Sequence, residues 1–206
     1  GQYLARNQDH VEGMIAAPDV RVVVFDIFDT LLIRPLLNPE SVKNIVACRA
    51  GAEAGDAYLT LRAESEMKAR QQAGRDIGLE EIFAEFAALS GLPLETVAHL
   101  RRLEETVEQE VVTSRPDALA LLRHALISGK RVVLASDMYL PRPIVENMLT
   151  ENGIDDYHAL YLSSDIGRRK DTGERFHFML TREGVSPGEV LVVGDNERSD
   201  FQIPCD

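Results

Sequence analysis

The chain has 206 residues and a net charge of −12 at pH 7, with 45% hydrophobic and 27% charged residues. This length suits one large α/β domain or a core domain with a small insert, and the composition is that of a globular protein. The acidic balance argues against a nucleic-acid partner, because phosphate backbones are bound by an excess of lysine and arginine. The two cysteines indicate no disulfide framework, and no membrane-spanning run or signal peptide is visible, so we expect a cytoplasmic protein.

The first strong pattern is the apolar run Val22–Phe25, which leads without alternation into Asp26. Such a run predicts a strand over about 21–26 that is buried on both faces, as in a parallel sheet. A second carboxylate, Asp29, and a hydroxyl, Thr30, follow closely. Because open α/β sheets bind ligands beyond the carboxyl ends of their strands, we expect a functional site at Asp26.

From 38 to 112 the character of the sequence changes. Apolar residues recur every three or four positions, as in the series Val97, Leu100, Leu103 and Val107, and strand-like runs are absent. This spacing predicts a bundle of helices between the first strand and the next.

After residue 113, strand and helix patterns alternate, which predicts a parallel sheet with helices on both of its faces. The predicted strands cover 132–135, 159–162 and 190–193. Since parallel strands present their carboxyl ends along one edge, Asp26, Ser136 and Asp195 should converge there. Lys170 would reach the same edge from the loop after the third strand.

This set of residues has a clear chemical use. A carboxylate such as Asp26 can attack a phosphorus or carbon centre and form a covalent intermediate. A divalent cation held by Asp26 and Asp195, with Asp200 as a further candidate, would neutralise phosphate charge, and Mg²⁺ prefers oxygen ligands of this kind. Ser136 and Lys170 can hold the oxygens of the transferring group, whose charge must be stabilised in the transition state.

The same residues fall into four short motifs, one at each predicted strand end. They are Asp26-Ile27-Phe28-Asp29-Thr30, Leu134-Ala135-Ser136, Lys170, and Gly194-Asp195-Asn196-Glu197-Arg198-Ser199-Asp200. In type and order they resemble the motifs of the haloacid dehalogenase-like hydrolase superfamily, and the resemblance covers about residues 20–204. It implies an α/β fold: a Rossmann-like core at 1–37 and 113–206, with an all-helical cap inserted at 38–112.

The resemblance also implies an activity, since most members of the superfamily are Mg²⁺-dependent phosphatases. Asp26 would be the nucleophile that forms an aspartyl-phosphate, and Thr30 the hydroxyl that accompanies it. The Mg²⁺ ligands would be Asp26, Asp195, Asp200 and the backbone carbonyl of Phe28. The expected substrate is a small phosphorylated, sugar-like molecule.

The sequence departs from the family pattern at Phe28, two residues after the nucleophile. The phosphatases have at this position an aspartate that serves as general acid and base, a role worth about 10²–10⁴-fold in rate. Asp29 lies one residue too late, and Asp137, next to Ser136, is the first candidate to replace the missing group. A local bulge could reposition Asp29, or His99 or Glu104 could enter from the cap.

Phe28 leaves two further interpretations open. The dehalogenases of the family carry an aromatic residue at this position and work without metal, although the acidic pair Asp195 and Asp200 favours a metal. The Asp-x-Phe-Asp-Thr form also resembles a branch whose members are found beside or fused to glycosyltransferases of surface-polysaccharide synthesis. In that setting the chain would be a catalytically weakened domain with a binding or assembly role.

Overall fold

The computed structural model describes residues 2–35, 40–166 and 173–194. The apolar runs of the sequence form the strands of a parallel sheet, and two shorter strands form a separate ribbon. The strands are β1 (Val22–Asp26), β2 (Leu32–Ile33), β3 (Thr113–Ser114), β4 (Arg131–Ser136), β5 (Ala159–Leu162) and β6 (Val190–Val193).

A turn joins β1 to β2, and helices precede β1 and connect the later strands. The helices are α1 (Gln2–Ala16), α2 (Ser41–Ala50), α3 (Ala52–Ala73), α4 (Leu79–Ser90), α5 (Leu94–Val111), α6 (Pro116–Ile127), α7 (Arg142–Glu151), α8 (Ser163–Ile166) and α9 (Glu174–Glu183). Among these described helices, none combines the length and the apolar character that crossing a membrane requires.

The order of the sheet strands is β5-β4-β1-β6, and every neighbouring pair is parallel. Since β4 and β5 lie on one side of β1 and β6 lies on the other, the strand order reverses at β1. The register pairs Asp26 with Ala135 and Phe25 with Val193, so β4 and β6 flank the carboxyl end of β1. Open α/β sheets bind ligands at such a switch point, which here coincides with Asp26.

Alternate residues of β1 are buried on opposite faces of the sheet. Val23 and Phe25 belong to a large apolar cluster that includes residues of α2–α7, whereas Val22 and Val24 pack in a smaller cluster with Met179 of α9. Burial on both faces explains why the run shows no polar alternation. The predicted fold class, a Rossmann-like parallel sheet with helices on both faces and an inserted helical cap, is confirmed.

Helices α2–α5 lie between β2 and β3 in the sequence, and they pack on one another. These two strands form an antiparallel ribbon, with Leu32 opposite Ser114, through which the chain leaves the sheet and returns to it. A strand of two residues is too short to show a period, so the sequence did not predict the ribbon. The exact division into a core of 1–37 and 113–206 and a cap of 38–112 stays a prediction, because residues 36–39 lie outside the described ranges.

Candidate active site

Strand β1 carries Asp26 to the rim of a cleft. The four apolar residues before it are almost fully buried, while the Asp26 side chain keeps 17% of its surface exposed. The buried run therefore fixes the backbone, and the carboxylate remains accessible at the switch point of the sheet.

The cleft has a volume of about 290 Å³ and opens where β1 and β4 end. Most of its wall consists of residues that end or follow these two strands, and one side chain comes from cap helix α3. The lining residues are Asp26, Ile27, Phe28, Arg70, Ala135, Ser136, Asp137, Met138 and Tyr139. The structure thus brings together Asp26 and Ser136, which the sequence predicted to converge.

Ser136 ends β4 and is 5% exposed. Its Oγ accepts a hydrogen bond of 3.1 Å from the backbone N–H of Met138, which holds the turn after the strand. The hydroxyl keeps its own proton for donation, so Ser136 is suited to hold an oxygen of a substrate group in the cleft.

A tight turn follows Asp26. The carbonyl of Ile27 accepts hydrogen bonds from the backbone N–H groups of Leu31 and Leu32, both at 2.9 Å, and Asp29 has a φ of 63°, in the left-handed region. Aspartate tolerates this conformation better than most residues with a side chain. The backbone conformation of this turn, rather than a bulge, determines the directions of the Phe28 and Asp29 side chains.

The turn separates Phe28 from Asp29. Phe28 lines the cleft, whereas Asp29 is exposed, does not line it, and accepts a hydrogen bond of 3.2 Å at its carbonyl from Arg115. The suggestion that a bulge could bring Asp29 into an acid/base role is therefore not supported. Phe28 therefore places an apolar ring in the cleft wall.

Asp137 lines the cleft, but its Oδ1 is engaged as an acceptor. Ser163 Oγ donates to it at 2.6 Å, and Arg175 Nη1 donates to the same oxygen in an ion pair. These two contacts fix the position of the carboxylate beside Arg175. The acid/base role of Asp137 stays a hypothesis.

Arg175 is a functional candidate that the sequence did not predict. It lies in the first turn of α9, is 7% exposed, and its Nη2 is 3.9 Å from Oδ1 of Asp26. One signal was available, because Arg175 shares the buried face of α9 with Met179 and Leu180. A cation on the apolar face of an amphipathic helix needs a buried partner, and here its partners are the carboxylates of the cleft.

Thr30 is 4% exposed, and its Oγ1 is buried with no hydrogen-bond partner among the described residues. It does not line the cleft. A buried hydroxyl without a partner costs about 1–3 kcal/mol. Its predicted role beside Asp26 stays a prediction.

Three predicted site residues, Lys170, Asp195 and Asp200, lie outside the described residues. Strand β6 ends at Val193, whose register partner is Phe25, so the segment that contains Asp195 begins next to the end of β1. Within the described ranges, no group of three or more acidic, histidine or cysteine side chains is arranged to hold a metal ion. The predicted metal site therefore depends on residues beyond those ranges.

Neither cap residue suggested as an acid/base group is available in the cleft. Glu104 is 2% exposed and accepts hydrogen bonds from Tyr58 and Arg62, at 2.7–2.9 Å. His99 is exposed and does not line the cleft.

Burial and the nearby Glu104 raise the pKa of Tyr139, a lining residue, so its phenol remains protonated and donates to Glu108.

Comparison with solved structures reveals the same fold in several enzymes. An L-2-haloacid dehalogenase from Xanthobacter autotrophicus is 18% identical, with a TM-score of 0.54 over 84% of this chain and 69% of that one. A predicted phosphoglycolate phosphatase from Haemophilus somnus is 14% identical, with a TM-score of 0.52 over 86% of this chain and 77% of that one. These identities show a shared fold and leave the reaction open.

A third structure, a haloacid dehalogenase family enzyme from Bacteroides thetaiotaomicron, is 16% identical, with a TM-score of 0.59 over 86% of this chain and 85% of that one. A search of curated proteins found no significant match. A family model described as haloacid dehalogenase-like hydrolase matches residues 20–202, which is most of the sequence. The chain therefore belongs to the haloacid dehalogenase-like hydrolase family.

Proposed function

We propose that this hydrolase is a Mg²⁺-dependent phosphatase that acts on a small phosphorylated substrate through an aspartyl-phosphate on Asp26. The observation that carries the proposal is the position of Asp26, which lines a cleft at the switch point of the sheet together with Ser136. Arg175 supplies positive charge 3.9 Å from the carboxylate. A nucleophile, a hydroxyl donor and a cation are the groups that phosphoryl transfer requires.

In the first step an oxygen of Asp26 forms a bond to phosphorus, and the bond between phosphorus and the ester oxygen breaks. The leaving oxygen takes up a proton from solvent water. In the second step water adds to phosphorus and gives a proton to solvent, and the bond between phosphorus and the Asp26 oxygen breaks. Inorganic phosphate is released and the carboxylate is restored. Ser136 would donate a hydrogen bond to a phosphoryl oxygen, and Lys170 is proposed to stabilise the charge on the same group.

The metal proposal is supported by the chemistry of the available donors. The Asp26 carboxylate and the Phe28 carbonyl are oxygen ligands of the type that Mg²⁺ prefers, and Asp195 and Asp200 would complete the set. A bound Mg²⁺ would supply charge neutralisation for the phosphate.

Proton transfer is the weak point of this active site. Phe28 cannot exchange a proton, and Asp137 is occupied by Arg175 and Ser163. Without a positioned acid the enzyme loses about 10²–10⁴-fold in rate, mostly for esters with poor leaving groups. We therefore propose that the enzyme is slow, or that its natural substrate has a good leaving group.

Phe28 in the cleft wall favours a second candidate function, the metal-independent hydrolysis of a carbon–halogen bond. In that reaction Asp26 would attack carbon and displace halide, and no leaving-group proton is needed. The same ring favours a third interpretation, a weakened domain with a binding or assembly role beside a glycosyltransferase in polysaccharide synthesis.

One experiment separates these functions: hydrolysis of an aryl phosphate with and without Mg²⁺, with Asp26→Asn as control, and halide release from 2-chloropropionate. Phosphatase activity that needs both Mg²⁺ and Asp26 would support the first function. Halide release without metal would replace it with dehalogenation. Absence of both activities above the Asp26→Asn background would leave the binding role.

A further inference from the structure

Arg70 is the one cap residue among the described residues that line the cleft. It lies in the last turn of α3, and its side chain is 37% exposed. The remaining lining residues belong to the core segments that end or follow β1 and β4. Arg70 therefore brings a cap cation to the cleft that contains Asp26.

The guanidinium of Arg70 is held along one edge. Its Nε and Nη2 donate to Oε1 of Glu66, at 3.1 and 2.9 Å. Its third nitrogen, Nη1, is 3.6 Å from Oδ1 of Asp76, which is beyond hydrogen-bond distance. The Nη1 donors are thus the part of Arg70 that an anionic ligand could engage, in competition with Asp76.

Glu66 is itself fixed by a buried arginine. Arg62, 1% exposed, donates from Nη1 to Oε2 of Glu66 at 2.9 Å. Burial would raise the pKa of Glu66, but the hydrogen bonds from Arg62 and Arg70 outweigh it and lower the pKa. Glu66 is therefore ionised at neutral pH, and its two oxygens hold one guanidinium each.

The series of ion pairs ends at Glu104, deeper in the cap. Arg62 donates to both oxygens of Glu104, at 2.9 and 2.7 Å, and Tyr58 donates to it at 2.9 Å. The Arg62 guanidinium also lies 5.1 Å from the ring centre of Tyr139, which lines the cleft. The series Glu104–Arg62–Glu66–Arg70 therefore connects the interior of the cap to the cleft wall.

A role in stability alone is a weak explanation for this series. Burying Arg62 and Glu104 carries a desolvation penalty that often exceeds the gain from pairing, and apolar residues of similar volume can stabilise a protein as well. What the buried pairs supply is position, because each of them fixes the orientation of the next side chain. Their last member, Arg70, is the one that reaches the ligand cleft.

We infer that Arg70 binds a second anionic group of the substrate, and that Glu66, Arg62 and Glu104 position it. The inference rests on the proposed function, in which the core end of the cleft takes the phosphate that Asp26 attacks. The substrate class is then a small phosphate ester that carries a carboxylate or a second phosphate. A cleft of about 290 Å³ at the lower limit of ligand pockets agrees with a compact molecule of this kind.

The test uses three ligands with the same two-carbon chain: ethylphosphonate, 3-phosphonopropionate and 1,2-ethanediphosphonate. Their dissociation constants are measured by calorimetry with Mg²⁺ present, for the wild type and for Arg70→Ala. The wild type should prefer a doubly anionic ligand to ethylphosphonate by roughly ten- to a hundredfold, the worth of a charged hydrogen bond. Arg70→Ala should abolish this preference and leave ethylphosphonate binding unchanged.

The wild type should bind one of the two doubly anionic ligands more tightly. Preference for 3-phosphonopropionate identifies the second group of the substrate as a carboxylate, and preference for 1,2-ethanediphosphonate identifies it as a phosphate. Arg70→Lys, which keeps the charge, should retain part of the preference, and Glu66→Gln should reduce it. Lys68→Ala is the matched control, because Lys68 lies on the same helix, pairs with Glu64 at 3.1 Å and does not line the cleft.

Three results would overturn the inference, and they differ in what else they affect. If the wild type binds ethylphosphonate but shows no preference for a second charge, or if Arg70→Ala and Arg70→Lys weaken all three ligands equally, only the role of Arg70 fails. If no phosphonate binds and no metal-dependent phosphatase activity is found, the proposed function fails and the inference with it. Circular dichroism of each variant verifies that it is folded.

Discussion

Nη2 of Arg175 lies 3.9 Å from Oδ1 of Asp26, and the same guanidinium holds Asp137 through Nη1. The first distance is that of an ion pair without a hydrogen bond, so Arg175 interacts with Asp26 through charge alone. Asp137 and Ser163 anchor the guanidinium at its other side. In this arrangement Asp137 positions Arg175 next to Asp26, the proposed nucleophile.

Replacing Arg175 with methionine should lower kcat/KM for an aryl phosphate by about 10- to 100-fold, because a buried cation beside Asp26, the proposed nucleophile, is lost. Arg175→Lys should lose less. Arg182→Met serves as control, since Arg182 lies on the same helix but is exposed. Equal activity of Arg175→Met and wild type, measured by steady-state kinetics, would contradict a role for Arg175 at Asp26.

Replacing Phe28 with aspartate should restore an acid/base group to the cleft. Protonation matters most for poor leaving groups, so the rate with an alkyl phosphate should rise by about tenfold or more relative to the rate with a nitrophenyl phosphate. The ring also packs against the core, so we expect a loss of stability of about 1–3 kcal/mol. Phe28→Leu controls for the lost ring. If Phe28→Asp and the wild type have the same ratio of alkyl phosphate to nitrophenyl phosphate hydrolysis rates, the prediction is wrong.

The fold and part of the site could be predicted because their signals are local. Each buried strand is a continuous apolar run, and parallel pairing then places the residues that end the strands at one edge, as it does for Asp26 and Ser136. Arg175 and Arg70 could not be found in this way. Their positions depend on how α9 and α3 pack, and no spacing in the sequence relates either arginine to Asp26.

Asp29 illustrates a prediction that depended on backbone geometry. From the sequence, a second carboxylate three residues after Asp26 is a candidate for the cleft. A positive φ at this residue turns its side chain out to solvent, and only the folded turn reveals this. The sequence shows which residue is at position 29, but it does not show the direction of the side chain.

The left-handed conformation of Asp29 leads to a third prediction. Asp29→Gly should keep activity within about threefold and should not destabilise the protein, because glycine adopts a φ of 63° without strain. Asp29→Val should lower the free energy of unfolding by about 1–3 kcal/mol, since a β-branched residue is strained there. Urea denaturation and phosphatase kinetics measure both effects. A large loss of activity in a folded Asp29→Gly would instead point to a chemical role for the carboxylate.

Glu108 is a buried acid at the junction of cap and core. Burial raises its pKa, Arg34 opposes the shift at 3.0 Å, and the neighbouring Glu104 adds to it. Tyr139 donates to its Oε1 at 3.3 Å, and the more distant Arg62 also opposes the shift. The ion pair with Arg34 therefore does not fully compensate the desolvation of the carboxylate.

The raised pKa of Glu108 predicts how stability depends on pH. The folded state binds the proton of the Glu108 carboxyl more tightly than the unfolded state does. The stabilisation that this proton gives to the folded state is therefore fully present below the ordinary pKa of 4.5 and is lost as the pH rises through the folded pKa. Glu108→Gln, which keeps an acceptor for Tyr139 but cannot ionise, should lack this loss. As the pH rises from about 4.5 to 7, the free energy of unfolding of Glu108→Gln should therefore increase relative to that of the wild type. Urea denaturation at several pH values measures both free energies. A difference that is constant over this range, or that shifts in favour of the wild type, would show that Arg34 holds Glu108 ionised throughout.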